Sequence, residues 1–181
     1  MPRIPAHTLD DAPQDSQDGL KKVHERYGMT PNIYRQMSHA PAVLNGLGAL
    51  GSAIEEHSVL DRKAREVIAL AVAQANHCPY CQAAHTMAGQ AAGLSQDDTV
   101  AVRRGDASFD PKLGALGAVA REAADNVGEV SDATWQAALD AGWTDTELAD
   151  AFAAIALNLA TTYFTHYAGT ELDLPPAPPL S

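Results

Sequence analysis

The stretch NHCPYCQAAH, residues 76–85, holds both cysteines of the 181-residue chain, Cys78 and Cys81, and sets His85 four residues after the second. A Cys-x-x-Cys pair can cycle between dithiol and disulfide, hold a metal, or fill a core as two small apolar side chains. Redox chemistry needs a thiolate, because the anion and not the thiol attacks a peroxide or a disulfide. Cys78 can cap a helix with Pro79 at its first position, and YCQAAHTMAGQAA continues without a breaker until Gly89, with Gly93 as a natural stop. Both thiols then lie at a helix N-terminus, where partial positive charge and unpaired N–H groups favour the anion. At i and i+3 the sulfurs share a face and can close a disulfide, so an oxidised sulfur has its resolving partner built in. Cys81 and His85, at i and i+4, are also neighbours, which gives one thiol a nearby base.

The preceding helix must position that base. Asp61 caps RKAREVIALAVAQAN, whose later turns are apolar on nearly every side and so read as a buried spine. If it returns antiparallel through a turn around residues 76–77, Glu66 lies level with residues 86–88, within about one turn of His85. With the helices nearly parallel and Glu66 pointing inward, Glu66, His85 and Cys81 would form a proton relay. The alternative for Glu66 is a surface ion pair with Arg62. His77 is expected to cap carbonyls or bias the adjacent thiol, and Tyr80 to cover the site or pack against a neighbour, its hydroxyl being a further donor. A zinc site from Cys78, Cys81 and His85 with Glu66 or His77 is a third reading, but structural zinc draws a second ligand pair from elsewhere and none is visible. No cofactor is expected.

The remaining elements are all helical: apolar residues recur three and four apart, and Ala, Leu, Glu, Gln and Arg dominate. Further helices are predicted over 18–27, from Thr30 with Pro31 at its first position, from Pro41 to about His57, from Ser95, from Pro111 to about Asp125, from Ser131 to Ala141, and from Thr144 to about Ala168. Trp135 and Trp143 read as core or interface anchors, and Tyr163, His166 and Tyr167 on the last helix as packing or subunit contact. The expected organisation is one all-α domain over 19–170, an extended arm over 1–18 and a Pro-rich tail over 171–181. With 12 Lys and Arg against 23 Asp and Glu, the formal charge of −11 repels phosphate and anionic lipid, so neither nucleic acid nor a membrane surface is an expected partner. The N-terminus lacks an apolar signal core and no run reaches the roughly 18 apolar residues of a membrane span, so a cytoplasmic setting is expected.

The spacing E-x11-C-x2-C-x3-H, carried by Glu66, Cys78, Cys81 and His85, resembles the alkylhydroperoxidase D-like branch of the carboxymuconolactone decarboxylase superfamily. The motif core covers about residues 43–94, and the helix order over about 20–170 is similar to the longer peroxidase-related members. The resemblance implies a compact all-α fold, thiol peroxidase activity on small or alkyl hydroperoxides, assembly into trimers or hexamers, and reduction by a lipoylated or thioredoxin-like dithiol protein. By the same resemblance Cys81 reacts with peroxide, Cys78 resolves, and His85 with Glu66 forms the relay. Other CxxC redox helices instead expose the first cysteine as nucleophile, which leaves the order of the sulfurs open. The characterised peroxidase of the family has histidine where this chain has Tyr80. Decarboxylation does not use a CxxC pair and is not implied; a disulfide oxidoreductase or redox sensor without efficient peroxidase activity is the alternative function.

Overall fold

The structure, a computed structural model, describes residues 1–180. Among them nine helices and no strand are found: α1 Gln14–Tyr27, α2 Asn32–Met37, α3 Pro41–His57, α4 Arg62–Ala75, α5 Pro79–Ala91, α6 Gln96–Arg104, α7 Pro111–Asp125, α8 Asp132–Asp140 and α9 Asp145–Ala168. Helix α4 is the spine, as its all-round apolar pattern predicts. Its residues Val67 to Ala73 are buried without a break, and α5, α6, α7 and α9 all pack on it. Side-chain caps fix several starts: Asp61 accepts from the Ala64 N–H at 2.7 Å, and Ser95 and Thr144 each form a reciprocal capping box.

Two apolar clusters meet along α4. The larger joins α4, α6, α7, α8 and α9 and includes Ile68, Leu116, Trp143 and Ile155. The smaller joins α1, α2 and α3 to the cysteine turn, through Leu20, Met37, Leu44, Ala73, Cys78, Tyr80 and Cys81. Trp143 is a core anchor whose Nε1–H donates to Lys112 O at 2.7 Å, whereas Trp135 lies exposed.

Three expectations change. Helix α1 starts at Gln14, four residues earlier than its apolar pattern suggests. The polar first turn is held by position: Ser16 is buried and its hydroxyl donates to Ser38 O at 2.7 Å. Pro31 is the N-cap of α2 with ψ 149°, so the helix begins one residue later than predicted. Finally, α9 is by length and composition alone long and apolar enough to cross a membrane. In this fold Leu148, Ala151, Ala154 and Ile155 belong to the larger core instead.

Candidate active site

The turn from α4 to α5 takes only Asn76, His77 and Cys78. His77 has φ +49° and sends its N–H to Gln74 O, while the Cys78 N–H reaches Ala73 O, both at 3.0 Å. These two bonds form a Schellman motif, with His77 in the left-handed position that glycine ordinarily takes. Cys78 then becomes the N-cap of α5: its Sγ accepts the Cys81 N–H at 3.2 Å, and Pro79 fills the first helical position. One residue therefore closes α4 and opens α5, which puts both sulfurs at a helix N-terminus.

Cys78 and Cys81 are joined as a disulfide, with Cα atoms 5.3 Å apart, inside the range that a bridge accepts without backbone movement. Both are buried, Cys78 fully and Cys81 with 6% exposure. The last helix supplies the ceiling of the site. Thr165 Oγ1 lies 3.3 Å from Cys78 Sγ, and Thr162 Oγ1 lies 3.3 Å from Cys81 Sγ.

One turn further along α5, His85 Nδ1 lies 2.9 Å from Glu66 Oε2 on α4. Glu66 thus meets the imidazole and not Arg62, and both partners are half-buried. A carboxylate at Glu66 only accepts, so the 2.9 Å bond places a ring proton on Nδ1, and the neutral form of that tautomer has its lone pair on Nε2. Among the described residues, no hydrogen bond joins His85 to either sulfur. His77 lies exposed on the turn and contributes its backbone.

Tyr80 points away from the relay. Its ring is buried in the smaller core, and its hydroxyl donates to Asp173 Oδ1 at 2.8 Å. Asp173 also takes the Asn32 N–H at 2.8 Å, and Leu174 packs on the cluster that contains the cysteines. Burial first, then the bond to Asp173, pushes the Tyr80 hydroxyl well above the usual tyrosine range. Further along the tail, the Pro178 carbonyl accepts from buried Arg103 on α6 at 2.7 Å. Among the described residues, no group of three or more His, Cys, Asp or Glu side chains is placed to hold a metal ion.

The sequence pattern picked out the cysteines, His85 and Glu66 but not Thr162, Thr165 or Asp173. Thr162 lies 81 positions from Cys81 and Thr165 87 from Cys78; their i, i+3 spacing inside the apolar run of α9 was the available signal. Asp173 had none, being one acid in a Pro-rich tail.

A model of the carboxymuconolactone decarboxylase family matches residues 41–125, from the start of α3 to the end of α7, and so contains the whole cysteine turn. That match spans 85 of the 181 residues and makes the central part of the chain similar to this family. The all-helical fold of the chain is similar to that of solved peroxidase-related proteins. The alkylhydroperoxidase AhpD core of an uncharacterized peroxidase-related protein from Ralstonia eutropha JMP134 superposes with TM-score 0.84 at 23% identity, covering 95% of this chain and 92% of that one. A peroxidase-related protein from Silicibacter sp. TM1040 gives TM-score 0.76 at 20% identity over 95% and 91% of the two chains. The debrominase Bmp8, solved as a cysteine-to-alanine variant in complex with 2,3,4-tribromopyrrole, gives 0.80 at 14% identity over 94% and 91%. An uncharacterized protein of Haemophilus influenzae is 51% identical over 45 residues, which is 25% of this chain and 40% of that relative.

Proposed function

We propose that the chain is a thiol-dependent hydroperoxide reductase that cycles Cys78 and Cys81 between dithiol and disulfide. The observation that carries this reading is the disulfide at the α5 N-terminus with the Glu66–His85 pair one turn behind it. In the cycle, His85 Nε2 takes the Cys81 proton, and the thiolate attacks a peroxide oxygen. The S–O bond forms as the O–O bond breaks, and the alkoxide leaves with the proton from His85. Cys78 then attacks the sulfenic sulfur: the disulfide forms, the S–O bond breaks, and the oxygen departs as water with the Cys78 proton. A dithiol protein, lipoylated or thioredoxin-like, returns two electrons and two protons by thiol–disulfide exchange. The substrate is a small or alkyl hydroperoxide, the setting is the cytoplasm, and the working form is a homo-oligomer, trimeric or hexameric.

The related fold of a debrominase shows that architecture alone does not choose the substrate, and the alternative is a disulfide oxidoreductase or redox sensor. The depth of both sulfurs beneath Thr162 and Thr165 favours that alternative. The deciding experiment mixes reduced protein with a small excess of cumene hydroperoxide and follows free thiols. Second-order loss well above that of free cysteine is expected; a rate no faster than free cysteine leaves the oxidoreductase reading.

A further inference from the structure

We infer that Thr162 and Thr165 on α9 divide the protons between the two sulfurs, so that Cys81 is the one held as thiolate and Cys78 the one held as thiol. The division follows from counting hydroxyl protons. Thr165 has one, and it is donated to Thr162 O at 2.6 Å. The 3.3 Å contact to Cys78 Sγ is seen in the disulfide form; once the bridge is reduced, the Thr165 oxygen can only accept there, and what it can accept is an S–H. A thiol at Cys78 satisfies it; a thiolate there would face an oxygen lone pair.

Thr162 is in the opposite position. Its hydroxyl is almost fully buried and has Cys81 Sγ, at 3.3 Å, as its hydrogen-bond partner. Among the described residues no carbonyl is found to accept its proton, so the O–H is available to a sulfur anion, and a bond to a charged acceptor is worth more than one to a neutral thiol. Cys78 Sγ does receive the Cys81 N–H, and both sulfurs share the helix N-terminus. That donor favours an anion at Cys78 as well, so what distinguishes the sulfurs is that Cys78 also faces the Thr165 lone pair at 3.3 Å, whereas Thr165 stands 3.8 Å from Cys81 Sγ.

The titratable groups on the packed elements are Tyr34 on α2, Glu66 on α4, Tyr80 and His85 on α5, and Asp173 on the tail, which is bound to Tyr80. Helix α9 brings the Thr162 and Thr165 hydroxyls to the sulfurs. The role of Thr162 rests on the thiol chemistry proposed above, and it gives a structural cause for the order used there, in which Cys81 attacks and Cys78 keeps the proton that later leaves with water.

The test is alkylation of the reduced protein by iodoacetamide across pH 5 to 10, with each modified cysteine quantified by peptide mass spectrometry and no peroxide present. Thr162→Val, nearly equal in shape, is expected to slow Cys81 alkylation near neutral pH by about tenfold and shift its pH profile upward, with Cys78 unchanged. Thr162→Ser should restore the profile. Unchanged Cys81 alkylation in Thr162→Val, or a serine variant that fails to restore it, overturns the assignment. Because peroxide is absent, a normal alkylation result beside slow peroxide-driven thiol loss would remove the peroxidase reading and leave the proton assignment standing.

Discussion

A carboxylate against one nitrogen of an imidazole makes the other nitrogen a better base, and Glu66 stands 2.9 Å from His85 Nδ1. Glu66→Gln keeps the shape but removes the charge, so the apparent pKa of thiol alkylation is expected to rise and peroxide-driven thiol loss to slow by about tenfold. His85→Ala, which removes the base itself, should cost roughly a hundredfold at neutral pH. Stopped-flow measurement with cumene hydroperoxide reads both, and wild-type rates in the two variants would return the pair to a structural contact. These residues were legible in the sequence because helix periodicity relates them: i and i+4 along α5, and reflection through a turn too short to allow another register. Thr162 and Thr165 were not, since which face of α9 lies over the sulfurs is decided by packing on α3, α4 and α7. Tyr80 shows the same limit from another side. Its identity suggested a cover for the site, but its direction depends on Asp173, which arrives from the far end of the chain.

At the scale of elements, the tail and the cysteine turn each carry a consequence. Tyr80 and Tyr34 are both pushed above the ordinary tyrosine range, chiefly by burial, then by the bond to Asp173 for Tyr80 and by the neighbouring Tyr27 for Tyr34. Above about pH 10 the unfolded tyrosines ionise while the folded ones keep their protons. The unfolded state then binds fewer protons, so stability is complete below that pH and falls as pH rises through it, by up to about 1.4 kcal/mol per pH unit for each tyrosine. Chemical denaturation between pH 8 and 11 should show that fall, and Tyr80→Phe should flatten it. In the turn, His77 occupies a left-handed conformation at φ +49° that costs a side chain about 1 kcal/mol. His77→Gly is expected to recover part of that, with a higher midpoint of thermal unfolding and unchanged thiol reactivity. A lower midpoint would mean that the imidazole has a role beyond its backbone. Most helix starts were legible because Asp61, Cys78, Ser95, Asp110, Ser131 and Thr144 cap them, chemistry that acts within four residues. Helix α1 extends past its apolar pattern because buried Ser16 is anchored by α2's end, a contact 22 positions away.

At the scale of the whole molecule, the outer side of α9 carries a row of exposed apolar side chains. Phe152, Ala156, Ala160, Tyr163 and Tyr167 recur every three or four residues and so form one stripe; Phe152 is 64% exposed, Tyr163 56% and Tyr167 72%. Beside it runs α3, an apolar helix in which only Leu44 and Ile54 are buried. Large apolar side chains in a continuous exposed row mark contact with another surface. A formal charge of −11 opposes self-association at long range, but the stripe itself carries none of those charges, so close contact there adds no like-charge pair. A second copy of the chain is the occupant that the proposed homo-oligomer requires. Phe152→Asp places a charge in the middle of the stripe, where burial without a partner is costly. Light scattering coupled to size exclusion is expected to give a multiple of the 19.0 kDa chain mass for the wild type and a smaller species for Phe152→Asp. Raising salt should strengthen the wild-type assembly by screening the net charge and leave the variant dissociated. A wild type that elutes as a monomer at every salt concentration would leave the stripe for a different partner. A Phe152→Asp chain that assembles like wild type would move the interface to another face.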